Sequence, residues 1–168
     1  ANQDQSIDLL LVGASACRDQ ELFEKAVIQW QRVLLANGTP YQRSLAIRGV
    51  IFTKMKNGKV RDTINALSTF LRLEDWKKLG AEQRKELLVL LDLQLLDEAK
   101  RLAENGNMEQ AGGLLLSVAE EFSDLPNRLK HIRDAGYYFA INGSWREAQE
   151  IASNYLLTNQ KFLRDDMS

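Results

Sequence analysis

The strongest constraint in this chain is the stretch from Ile132 to Leu156, IRDAGYYFAINGSWREAQEIASNYL. Ile132, Ala135, Gly136, Phe139 and Ala140 precede Asn142-Gly143-Ser144, and Trp145, Ala148, Ile151, Ala152 and Tyr155 follow it. These spacings of three and four are the period of an α-helix. Gly136 and Ala148, each at mid-helix, let two backbones approach, while Phe139, Trp145 and Tyr155 are expected to fill the space beside them. The stretch predicts an antiparallel helical hairpin. One hairpin of this size leaves a face without cover, so the pattern has to recur along the chain.

It recurs three more times. Residues 1–5 are polar and are expected to fray, with Ser6 as an N-cap before a face of Leu10, Gly13, Ala14 and Cys17. A second helix carries Phe23, Ala26, Val27, Trp30, Val33 and Leu34, and is expected to stop at Asn37-Gly38-Thr39-Pro40 through a left-handed glycine and a proline. The next pair places Ile47, Val50, Ile51 and Lys54 before Asn57-Gly58-Lys59, and Val60, Thr63, Ile64, Leu67, Phe70 and Leu71 after it. A third pair centres on Asn105-Gly106-Asn107, with Leu95, Ala99, Leu102 and Ala103 before and Met108, Ala111, Leu115, Val118 and Ala119 after. Asp124-Leu125-Pro126-Asn127 interrupts the chain ahead of the fourth. With only Pro40 and Pro126 as prolines, and no alternating strand-like runs, the chain reads as all-α.

Composition narrows the function. Lys plus Arg is 22 against 23 for Asp plus Glu, and the net charge of −1 with no basic stripe gives no field for nucleic acid. The longest apolar runs, such as Leu87 to Leu91, are too short to span a bilayer, so no membrane insertion is expected. The single cysteine, Cys17, excludes an internal disulfide and leaves the compartment open. The run ending at Cys17 has small residues before a cysteine, as a lipoprotein signal does, but Asp4 and Asp8 and the lack of Lys or Arg ahead of it argue against that reading.

The turns Asn57-Gly58-Lys59-Val60, Asn105-Gly106-Asn107-Met108 and Asn142-Gly143-Ser144-Trp145 occupy equivalent places, each followed by a small or β-branched residue (Thr63, Ala111, Ala148). With the hairpin carrying Gly13, Ala26 and Trp30, this resembles a tetratricopeptide repeat array. The resemblance covers residues 7–160 and implies a right-handed α-solenoid of about four antiparallel hairpins, 7–38, 42–73, 81–122 and 127–158, in a single domain. The first hairpin lacks the turn glycine, and the second has Thr63 for alanine and Lys54 where an aromatic is usual. The turn glycines lie 48 residues apart from Gly58 to Gly106 and 37 from Gly106 to Gly143, against a motif period of about 34. The excess falls in an insertion at about residues 74–88, read as a longer connection followed by a helix extended from about Ala81 to Glu104. After Leu157 only a short tail is expected, leaving the array end uncapped.

Catalysis finds little footing. His131 is the one histidine, so no histidine pair can bind metal, and Cys17 lies on an apolar face, where a core role is expected. Gly112-Gly113 lacks the Lys-Ser/Thr of a nucleotide loop and reads as a close helix contact. No cofactor and no metal is expected.

The resemblance implies instead a concave groove lined by the first helix of each hairpin: Leu11, Ser15 and Arg18; Arg48, Phe52 and Met55; Leu96 and Lys100; Lys130, Arg133, Tyr137 and Ile141. Arg48, Lys100, Lys130 and Arg133 would make that groove cationic, suited to an acidic segment, with Phe52 and Tyr137 as anchors. Leu11 and Ser15 stand where chaperone-tail-binding members carry Lys and Asn, so a chaperone tail is not the expected ligand. The expectation is a non-enzymatic protein-binding module, an adaptor, assembly factor or chaperone-like scaffold. The alternative is a self-assembling subunit, a homo-oligomer joined through array ends or the convex face.

Overall fold

The structure is a computed structural model that describes residues 2–73 and 80–165, with side chains described for 5–73 and 80–155. Among the described residues all regular structure is α-helical: α1 (Asn2–Asp19), α2 (Phe23–Leu35), α3 (Pro40–Lys56), α4 (Val60–Leu71), α5 (Ala81–Glu104), α6 (Met108–Glu121), α7 (Arg128–Ile141) and α8 (Trp145–Asp165). The chain divides into two compact units, Ala1–Leu91 and Asp92–Ser168, the division falling inside α5.

The ends of α1, α3, α5 and α7 share a left-handed residue. Glu21 (φ 61), Gly58 (φ 71), Gly106 (φ 80) and Gly143 (φ 82) are left-handed, each two residues before the next helix begins. At three of them the same two bonds close the turn. Leu22 N–H donates to Cys17 O at 2.8 Å, Asn107 to Leu102 at 2.8 Å and Ser144 to Phe139 at 2.9 Å, while Glu21, Gly106 and Gly143 donate three residues back. This is the Schellman arrangement, which satisfies carbonyls that the helix end leaves without partners. The turn between α1 and α2 therefore closes without a glycine, with Glu21 taking the left-handed position. Five residues after each left-handed position come Ala26, Thr63, Ala111 and Ala148, and the first three are fully buried.

Unit 1 is built around Ile7, Ala14, Ala26, Trp30, Val33, Ala46 and Val50, with Leu10, Leu11, Cys17 and Leu34 packed against them. Here α1 packs on α2 and α3, α2 on α3, and α3 on α4. Each fully buried aliphatic side chain contributes about 1.5–3 kcal/mol relative to exposure. Trp30 lies directly on the backbone of α3 at Gly49, where any Cβ would collide with its ring. The start of α3 is set by Thr39, whose hydroxyl accepts from Gln42 N–H at 3.2 Å while Gln42 Oε1 accepts from Thr39 N–H at 3.0 Å, a capping box with Pro40 at the first turn. Gln42 also donates to Asp8 Oδ1 at 2.9 Å, tying α3 to α1.

In unit 2, α6 packs on α7 and α7 on α8. Leu95, Ala99, Ala111, Leu115, Val118, Ala119, Ala135 and Ile151 are buried there. Gly112 allows the close contact anticipated for it: a Cβ would lie 3.1 Å from Ala135 O and 3.2 Å from the Phe139 ring. The entry into α7 is fixed from outside that helix. Asp92 on α5 accepts from Asn127 N–H (3.2 Å), Asn127 Nδ2 (2.6 Å) and His131 Nε2 (2.6 Å), and Arg128 Nε donates to Ala119 O at 2.7 Å. A carboxylate at a helix N-terminus also faces the positive end of the helix dipole.

Several expectations are corrected. Helix α1 begins at Asn2, so Ser6 is inside it rather than its N-cap, and residues 2–5 are helical. Gly38 is not left-handed; Ala36, the C-cap of α2, is extended, and Gly38 instead makes room for Gln42 and Ile7. Pro40 opens α3. Trp145 does not fill the space between α7 and α8, being 70% exposed; Ile151 lies against Gly136 in its place. Helix α8 continues past Leu157 to Asp165. The extended helix from Ala81 to Glu104 is present, so the second half of the insertion at 74–88 is regular helix. Residues 74–79 lie outside the described residues.

Candidate functional site

Within unit 1, α3 and α5 meet in successive rungs. Gln83 Nε2 donates to Ser44 Oγ, and the next rung is an ion pair, Arg48 Nη2 to Glu86 Oε2 at 2.7 Å. The contacts advance by four residues along α3 and three along α5, so the two helices run in the same direction. Around these rungs, with Ile47 and Leu87 between them, the space left is only about 10 Å³. One further turn along, the helices no longer close on each other. Phe52 on α3 and Val89 and Leu90 on α5 line an open groove of about 540 Å³.

The floor of this groove is apolar and its rim is charged. Phe52 is 46% and Val89 43% exposed, while Ile51, Leu88 and Leu91 beside them are buried. Glu82, Lys85 and Glu86 stand on the α5 side and Arg48 on the α3 side. Arg48 is neutralised by Glu86, while Glu82 and Lys85 have no ion-pair partner among the described residues. This groove therefore holds two cations and two acids. Of the four cations expected to line a groove, Arg48, Lys100, Lys130 and Arg133, this one contains Arg48, and Glu82 and Glu86, which were not in the expected lining, stand with it.

Of the sequence-predicted site residues, the structure brings Arg48 and Phe52 together in this groove. Met55, on the same helix, is half-buried and is not among the lining residues. Arg18 pairs with its neighbour Asp19 at 2.9 Å, and Leu11 and Ser15 are half-buried, Leu11 against the unit 1 core. The others lie in unit 2. Lys100 is exposed with Glu104 3.8 Å away, Leu96 is half-buried, and Lys130 is exposed. Arg133 bonds Asp134 at 2.8 and 3.0 Å, which holds its guanidinium further on the protonated side. Tyr137 and Ile141 are 64% and 51% exposed, and the Tyr137 ring is 6.1 Å from that of Tyr138.

The sequence reading missed Lys85 and Val89 along with the two glutamates. Their signal was available as Glu82, Glu86 and Val89, spaced by four and three on one face of the helix expected from Ala81. It also missed Asp92, a lone acid in the apolar run LLVLLDLQLL.

A second, smaller cavity of about 270 Å³ lies among α2, α3 and α4, with Glu24, Lys54, Lys59 and Asp62 at its edge. Among the described residues no group of three or more His, Cys, Asp or Glu side chains is placed to hold a metal ion, and no helix is long and apolar enough to cross a membrane. Compared with protein-family models, curated proteins and solved structures, the chain matches none.

Proposed function

We propose that the chain is a tetratricopeptide-like array of helical hairpins acting as a non-enzymatic protein-interaction module, an adaptor, assembly factor or chaperone-like scaffold. The observation that carries this reading is the apolar floor at Phe52, Val89 and Leu90, left open between two helices that are closed one turn earlier. An aromatic side chain half out of water in an open groove gains by being covered by a partner. The repeated left-handed stop, each followed by a small residue, and the parallel course of α3 and α5 support the repeat assignment. The test is affinity capture from a cell lysate with wild type, Phe52→Glu and Lys130→Glu, all of equal helicity. A partner retained by wild type and Lys130→Glu and lost with Phe52→Glu supports the groove. Equal capture by all three rejects it.

A second reading, self-assembly, is favoured by the exposed apolar face of α1, where Leu9 is 73% and Val12 67% exposed one turn apart. A sedimentation mass that rises with concentration, and does not rise in Val12→Glu, would support it.

A further inference from the structure

The groove of unit 1 discriminates between the two shapes a bound segment can take. The backbone groups of Arg48, Phe52, Glu86 and Val89 are in helix interiors and bonded within their own helices, so the walls present no strand edge for pairing. An extended segment must also find partners for its own N–H and C=O groups. The lining supplies few, since it contains no Asn, Gln, Ser or Thr and two of its four charged groups are committed to each other. A helix brings its backbone bonds with it and needs only apolar contact and a matching rim.

The rim specifies that match. Glu82 and Lys85 lie one turn apart on the same side of the groove, and neither has an ion-pair partner among the described residues. Burying either beside an apolar partner face would cost free energy unless an opposite charge met it.

We infer that the groove takes an amphipathic α-helix of another protein, its apolar residues at i, i+3 or i+4 and i+7 seated between Phe52 and Val89. A cation and a carboxylate one turn apart on that helix face Glu82 and Lys85. This rests on the groove reading above and adds the conformation and charge order of the partner segment.

The experiment is selection from a displayed library of random peptides of about 20 residues, long enough for several helical turns. It is run on the whole chain as wild type, Phe52→Glu and the charge-swapped Glu82→Lys/Lys85→Glu, each checked for helicity by circular dichroism. The expected result is proline-free sequences with helical apolar spacing that gain helicity on binding and lose about tenfold or more in affinity with Phe52→Glu. The charge-swapped variant should select the reverse charge order. Enriched sequences that depend on Phe52 but are proline-rich or alternate apolar and polar residues overturn the helix and leave the groove. Sequences that bind Phe52→Glu equally well overturn both. Self-association of the wild type abolished by Phe52→Glu makes the occupant a second copy, and failure to enrich any sequence also overturns the inference.

Discussion

Trp30 and Gly49 occupy one space: the indole of α2 lies where a side chain on α3 would begin. Glycine in a helix interior costs about 1 kcal/mol relative to alanine, so replacing it would ordinarily stabilise. Here Gly49→Ala should instead destabilise, by about 1–3 kcal/mol, because a ring held in a core cannot move aside without opening a cavity elsewhere. Urea denaturation of Gly49→Ala, Trp30→Leu and the double variant would test this. The double variant should be less damaged than the sum of the two single ones.

The Asp92 carboxylate is the shared acceptor for Asn127 and His131, all on the unit 2 side of the division. Asp92 is 4% exposed and His131 wholly buried. The carboxylate is met by a proton on Nε2, and Nδ1 has no hydrogen-bond partner among the described residues. Asp92→Ala should strand buried donors and destabilise by about 2–4 kcal/mol. His131→Leu should cost less, since it removes Nδ1 and Nε2 together and leaves Asp92 its two bonds from Asn127. Denaturation midpoints that rank the two variants the other way would reject this account.

Glu21 adopts φ 61 where the equivalent positions are glycine. A left-handed non-glycine residue costs about 1–2 kcal/mol, offset in Glu21→Gly by the greater freedom of glycine in the unfolded chain. Glu21→Gly should raise stability by up to about 1 kcal/mol, and Gly143→Ala should lower it by about 1 kcal/mol. Thermal melts of both check the pair.

Tyr138 should ionise above the ordinary tyrosine value of 10.0, because burial penalises its phenolate and Asp134 adds negative charge nearby. Its folded-state pKa is raised, so the contribution to stability is complete below the unfolded value and is lost as pH climbs through the folded one. An absorbance titration should show a late phenolate step that disappears in Tyr138→Phe.

How far the sequence reached follows from where each signal lies. Helical period and turn chemistry are local, and they located the turns at Gly58, Gly106 and Gly143 and the helix from Ala81 to Glu104. Glu21 was invisible because glutamate carries no turn preference; only the bonds from Leu22 and its own N–H reveal the role. Gly49 and Asp92 are defined by residues distant in sequence, Trp30 and His131, and no spacing rule connects them. Trp145 begins α8 on its exposed side, a matter of a helix's rotation that periodicity leaves open. The groove was half legible: Arg48 and Phe52 were named from their face of α3, but their counterparts on α5 required knowing which helix lies opposite.

The left-handed stops have a kinetic side. At Glu21, Gly106 and Gly143 the closing bonds join residues no more than five apart. Contacts that short close on the timescale of a single helix, far sooner than loops joining distant residues. Each of these helices can thus settle its end before any neighbour arrives, and the search that remains is the docking of segments whose lengths are already fixed.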